Sequence, residues 1–105
     1  MRDTLQRLET VIAERRGASA DGSYVASLFA KGREKIAQKV GEEATETVIA
    51  ALSGDTAKLT SEAADLLFHL LILLRDGNVS VNDVLAELDR RDGVSGIVEK
   101  AARKE

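Results

Sequence analysis

From Ala63 to Leu74 the chain carries ten apolar residues in twelve, with only Asp65 and His69 interrupting them. On a helix these ten cover every side of the cylinder. A helix that is apolar all round is buried all round. The whole chain has 105 residues, which suits one domain spanning 1–105. A domain of that size buries a small share of its own surface. The segment therefore predicts a central helix in a bundle that a second subunit completes.

The rest of the sequence agrees with helix. Proline is absent, and no stretch alternates with the period of a strand. Leu5, Leu8, Val11 and Ile12 recur at helical spacing, so a first helix ends near Gly17. Gly17 to Gly22 reads as a loop. Ser23 is placed to cap a short helix carrying Tyr24, Leu28 and Phe29. A longer helix runs from about Gly32 to Ser53, with a seam of Ile36, Val40, Glu43, Thr47 and Ala50. Gly54-Asp55 breaks it, and Asp55 caps the apolar helix, which continues to about Arg75. Its seam is Leu59, Glu62, Leu66, His69 and Leu73. Asp76-Gly77-Asn78 is a stop. Ser80 with Asp83 resembles a capping box before a last helix carrying Val81, Val84, Leu85 and Leu88. Gly93 and Gly96 loosen the chain before a basic tail. The expected fold is all-α, a helical bundle built on a long antiparallel hairpin.

Several function classes drop out. A net charge of −3 argues against nucleic acid as a partner. The apolar run from Leu66 to Leu74 is too short for a bilayer, which needs about 20 residues, so no membrane role is expected. The start of the chain has no signal-peptide core. Without cysteine there is no disulfide and no thiolate metal site, which fits the cytoplasm.

Acidic residues stand where core is expected. Counted outward from Gly54, Glu46 and Glu62 are equally far from the turn, and so are Glu43 and Asp65. Equal counts in an antiparallel pair mean equal height. Glu43 and Glu46 share one helix face, as do Glu62 and Asp65. Four carboxylates at one level, partly inside a bundle, repel one another, and burying them unpaired costs several kcal/mol each. A divalent cation resolves the conflict. All-oxygen ligands select Mg²⁺, with Mn²⁺ as a substitute. Mg²⁺ keeps coordination sites for water and substrate phosphates, which leaves room for a triphosphate.

Lys35 and Lys39 lie four apart, on a face leading toward Glu42, Glu43 and Glu46. Two cations beside a metal site suit polyphosphate oxygens. His69 follows Asp65 by one turn and reads either as a hydrogen-bonded core residue or as a contact with substrate or with the outer shell of the metal. By composition alone Arg90, Arg91, Lys100 and Arg103 read as a solvated basic tail. No Gly-rich phosphate loop, nucleophile elbow or Glu-x-x-His pair is present.

The ExxE of Glu43 and Glu46, followed after fifteen residues by the ExxD of Glu62 and Asp65, resembles the all-helical nucleotide pyrophosphohydrolases, which include MazG-like enzymes and dimeric dUTPases. Longer stretches narrow the resemblance. Ser23-Tyr24, Lys31-Gly32, Glu34-Lys35-Ile36, the run Lys39 to Glu46 and the run Glu62 to Leu71 are similar to the phosphoribosyl-ATP pyrophosphohydrolase family. Arg90-Arg91, Gly93, Ser95-Gly96-Ile97 and Glu99-Lys100-Ala101 extend the likeness to the C-terminal end. Phe68 stands where that family commonly has tyrosine. The resemblance implies hydrolysis of phosphoribosyl-ATP to phosphoribosyl-AMP and pyrophosphate, in histidine biosynthesis. It also implies Mg²⁺ dependence, a helical homodimer and a cytoplasmic setting.

On this reading Glu43, Glu46, Glu62 and Asp65 hold Mg²⁺, Glu42 is either an acid behind the metal ligands or the general base, and Glu42 and Glu43 are the catalytic candidates. Lys35 and Lys39 neutralise phosphate charge. Lys31, Arg33 and the basic tail hold the phosphoribosyl phosphate. The nearest alternative is a house-cleaning hydrolase of ordinary or damaged nucleoside triphosphates. An alternative of another class is a non-catalytic helical dimerisation module.

Overall fold

The structure, a computed structural model, describes residues 2–92. The glycines of the expected C-terminal loop and the basic residues Lys100 and Arg103 lie outside the described residues. Five α-helices follow one another, with no strand among the described residues: α1 (Arg2–Arg15), α2 (Tyr24–Lys31), α3 (Arg33–Ser53), α4 (Thr56–Asp76) and α5 (Val81–Arg91).

Local chemistry sets the boundaries. Ser23 Oγ accepts a hydrogen bond from the Ala26 amide at 3.2 Å and starts α2. Asp55 Oδ1 accepts from the Lys58 amide at 3.1 Å and starts α4. Ser80 and Asp83 form the full reciprocal box at the head of α5. Between Gly17 and Gly22, read from the sequence as loop, Ala20–Gly22 forms one turn of 3-10 helix capped by Ser19. Gly32 alone separates α2 from α3, at a φ of 97° that a residue with a Cβ rarely adopts. Gly54 ends α3 in the left-handed conformation and starts the reversal into α4.

The two long helices dominate the packing, with α1 laid on α4, α2 on α3 and α5 on α1. The Glu9 carboxylate accepts from the Val81 amide at 2.6 Å, tying α1 to the first turn of α5. The core gathers at one end of the hairpin. Ile12, Leu28, Ile36 and Ile72 are fully buried there, joined by Val25, Leu71 and Val81.

The other end of the hairpin is left open by the described residues. Between residues 37 and 68 only Ala50 is buried, while Val48, Ile49, Leu52 and Leu67 stand exposed. The expectation that α4 is buried on every face does not hold for the single chain. Only His69, Leu71 and Ile72 of that helix are buried, and Leu67 is 49% exposed. The physical reason is supply. The three short helices cover only the half of the hairpin nearest their own attachment points.

Candidate metal centre and substrate site

The seams predicted from periodicity are the ones that meet. Ile36, Val40, Glu43, Thr47 and Ala50 of α3 are buried or half-buried, as are Leu59, Glu62, Leu66, His69 and Leu73 of α4. Glu43 and Glu62 therefore face each other across the helix pair. Asp65 stands three residues on from Glu62 and flanks it. One carboxylate oxygen from each of Glu43, Glu62 and Asp65 lies within 4.8 Å of the other two.

These residues fit a hard divalent ion. Oxygens on opposite sides of Mg²⁺ stand about 4.2 Å apart. Neighbouring ones stand about 3.0 Å apart, so side-chain rotations that move the oxygens by about an ångström bring the three around one ion. Glu43 and Glu62 are half-buried and Asp65 is exposed, so the set has a closed side and an open side. The structure brings together three of the four acids named from the sequence. Glu46, three residues beyond Glu43, falls on the outer flank of α3 and is exposed. It lines a shallow open depression with Gln38, Gly41, Glu42, Glu43 and Thr45.

The cationic side of the site is in place. Lys39 Nζ lies 3.2 Å from Glu42 Oε1 and 3.8 Å from Glu43 Oε2. The Glu42 hydrogen bond raises the Lys39 pKa above its ordinary value, against burial, with Tyr24, Glu42 and Glu43 adding charge effects. Glu42 is shifted the other way. Its pKa is lowered, first by a hydrogen bond from Gln38 at 2.9 Å and then by Lys39, with Lys35 contributing. Glu42 is thus ionised at neutral pH, but the same bonds reduce its basicity.

Other named residues have different surroundings. Lys35 is half-buried, and Lys31 is exposed at the end of α2. The Arg33 guanidinium is engaged at the opposite end of the hairpin, with Asp76. His69 is 6% exposed, and both its ring nitrogens are occupied. Nδ1 lies 2.7 Å from the Asp65 carbonyl oxygen, and Nε2 lies 2.7 Å from the Tyr24 hydroxyl. His69 therefore presents no free nitrogen to a ligand. Tyr24 was not singled out from the sequence as a site residue. A lone tyrosine at the head of a short helix gives no periodic signal, and its partner is 45 residues away.

Three converging carboxylates beside a lysine could hold a divalent ion, and comparison with known proteins gives the chain a family. The model of the phosphoribosyl-ATP pyrophosphohydrolase family matches residues 5–92. The chain belongs to the phosphoribosyl-ATP pyrophosphohydrolase family. Among curated relatives, the phosphoribosyl-ATP pyrophosphatase of Rhizorhabdus wittichii is 64% identical over 103 residues, covering 98% of this chain and 97% of that protein. The enzyme of the same name from Erythrobacter litoralis is 64% identical over 101 residues, 96% of this chain and 97% of its own. That of Zymomonas mobilis is 62% identical over 101 residues, 96% and 94% of the two chains. The stretch matched by this phosphoribosyl-ATP pyrophosphohydrolase model includes all three converging carboxylates, both lysines and the Tyr24–His69 pair.

Proposed function

We propose that the protein hydrolyses phosphoribosyl-ATP to phosphoribosyl-AMP and pyrophosphate, with Mg²⁺ held by Glu43, Glu62 and Asp65. The observation that carries this reading is the convergence of those three carboxylates beside Lys39 in a chain of this family. Names borne by relatives at 60% identity and above point to the same substrate.

Water adds to phosphorus at the α–β phosphoanhydride, the P–O bond breaks, and pyrophosphate leaves. When bound, Mg²⁺ supplies charge neutralisation on the phosphoryl oxygens and activation of water. Lys39 exchanges its contact with Glu42 for phosphate oxygens, and Lys35 adds positive charge along the same face. Losing Lys39 restores part of the basicity of Glu42, the Gln38 hydrogen bond remaining, and Glu42 then accepts the proton of the attacking water. Glu46 reaches the site through the depression it lines with Glu42 and Glu43. Lys31 and the basic residues of the C-terminal end meet the phosphoribosyl phosphate. Arg33 joins them only by releasing Asp76.

The active form is a homodimer in the cytoplasm. Val48, Ile49, Leu52 and Leu67 are exposed on the half of the hairpin that the other described helices do not cover. Exposed apolar clusters of this kind mark association surfaces. A second hairpin packed there also closes the open side of the carboxylate set.

A side-by-side assay of phosphoribosyl-ATP, ATP, dCTP and dUTP, with and without Mg²⁺, tests the function. Pyrophosphate release is expected with Mg²⁺ only. Phosphoribosyl-ATP is expected to lead in kcat/KM by about a hundredfold or more. A preference for dCTP or dUTP overturns the substrate, and activity in a chelator overturns the metal.

A further inference from the structure

The bonds around His69 decide what Tyr24 offers to a ligand. The Asp65 carbonyl can only accept, so the Nδ1 facing it at 2.7 Å carries the ring proton. In the neutral ring Nε2 is then an acceptor, and the Tyr24 hydroxyl donates to it at 2.7 Å. The phenol hydrogen is thereby committed inward. The Tyr24 oxygen keeps lone pairs and has no hydrogen left to give.

Tyr24 is also the exposed aromatic residue of the site. Its side is 50% open, and the rings of Tyr24 and His69 meet edge to face at a centroid distance of 5.7 Å. His69, wedged between Tyr24 and Phe68, cannot turn without breaking both hydrogen bonds. The tyrosine ring is therefore held in one orientation. It borders the candidate site through His69, whose other ring nitrogen is held by the carbonyl oxygen of Asp65.

We propose that Tyr24 is a substrate-contacting specificity residue that binds the nucleoside half of the substrate, accepting a hydrogen bond from a sugar hydroxyl or the base amino group. This rests on the hydrolase reading above. An oxygen that only accepts repels ionised phosphate oxygens, which also only accept, and it suits N–H and O–H donors. The other side chains converging here, Lys39, Glu43, Glu62 and Asp65, are charged and match cation and phosphate. A flat base needs an aromatic surface, and stacking on aromatics tolerates any base. His69 is then the positioning residue for Tyr24.

The two products divide the substrate and so divide the test. Inhibition constants of phosphoribosyl-AMP and of pyrophosphate are measured for wild type and Tyr24→Phe, with Mg²⁺ present. These constants do not depend on the fraction of enzyme that folds. In Tyr24→Phe the constant for phosphoribosyl-AMP is expected to rise about tenfold, with that for pyrophosphate unchanged. Repeating the comparison with the 2′,3′-dideoxy form of the adenosine ribose separates the donors. A penalty that vanishes assigns the contact to the sugar, and one that persists assigns it to the base. Equal rises in both constants, a rise for pyrophosphate alone, or no rise overturns the proposal. A wild-type enzyme inactive on phosphoribosyl-ATP would instead overturn the function on which it rests.

Discussion

Arg33, the first residue of α3, grips Asp76, the last residue of α4. Arg33 Nε lies 2.7 Å from Asp76 Oδ2, and a terminal guanidinium nitrogen donates to the Asp76 carbonyl at 2.9 Å. Each residue sits at the wrong end of its own helix dipole, a cation at an N-terminus and an anion at a C-terminus. Paired, each charge offsets the other, and the side chains fasten the hairpin at the end away from Gly54.

Replacing Arg33 by Ala is expected to lower stability by about 1 kcal/mol, because the partner carboxylate is only 14% exposed and loses its charge-assisted bond. Urea unfolding measures this. A KM raised tenfold with stability unchanged would place Arg33 on the substrate instead.

Glu43→Gln and Asp65→Asn keep the shape of the side chains and remove one negative charge each from the carboxylate set. Turnover is expected to fall by about a hundredfold or more while the helical circular dichroism stays as in wild type. Mn²⁺ affinity, read by titration, should fall with it. Full activity in either variant removes that residue from the site.

Lys39 gives a prediction of opposite signs. Its ammonium lies 3.8 Å from Glu43 and repels a bound cation. Lys39→Met should tighten divalent-ion binding by about threefold, the scale of a part-exposed charge pair. It should also raise KM by about tenfold through loss of a phosphate contact. Ion titration and steady-state kinetics on one preparation check both.

The uncovered hairpin predicts self-association. Sedimentation at micromolar protein should show a dimer. Leu52, 84% exposed, and Val48, 58% exposed, lie one helical turn apart on α3. The double variant Val48→Glu, Leu52→Glu should sediment as monomer with reduced activity. A wild-type monomer under the same conditions removes the dimer.

At the last turn of α5, Arg90 and then Arg91 hold Glu87 down from 4.5 to about 2. The folded form therefore binds its proton later than the unfolded chain as pH falls. The contribution is fully present above about pH 4.5 and is lost as pH drops toward 2. The melting-temperature difference between wild type and Glu87→Gln should shrink over that window.

The sequence by itself determined the helices and the seams. Gly54 and Asp55 mark the reversal chemically, and the 3.6 period puts Glu43, Glu62 and His69 inward whatever surrounds them. Counting from the turn also put Glu43 level with Asp65, and their carboxylates do approach each other. Only the tertiary structure decided which acids converge. Glu43 meets Glu62 and Asp65 together, while Glu46 rotates onto the outer flank, because facing depends on how the two cylinders roll against each other. It likewise decided that Arg33 is clasped by Asp76 and that His69 is spent on Tyr24. Those pairs are separated by more than 40 residues, and no local pattern encodes a contact across that distance.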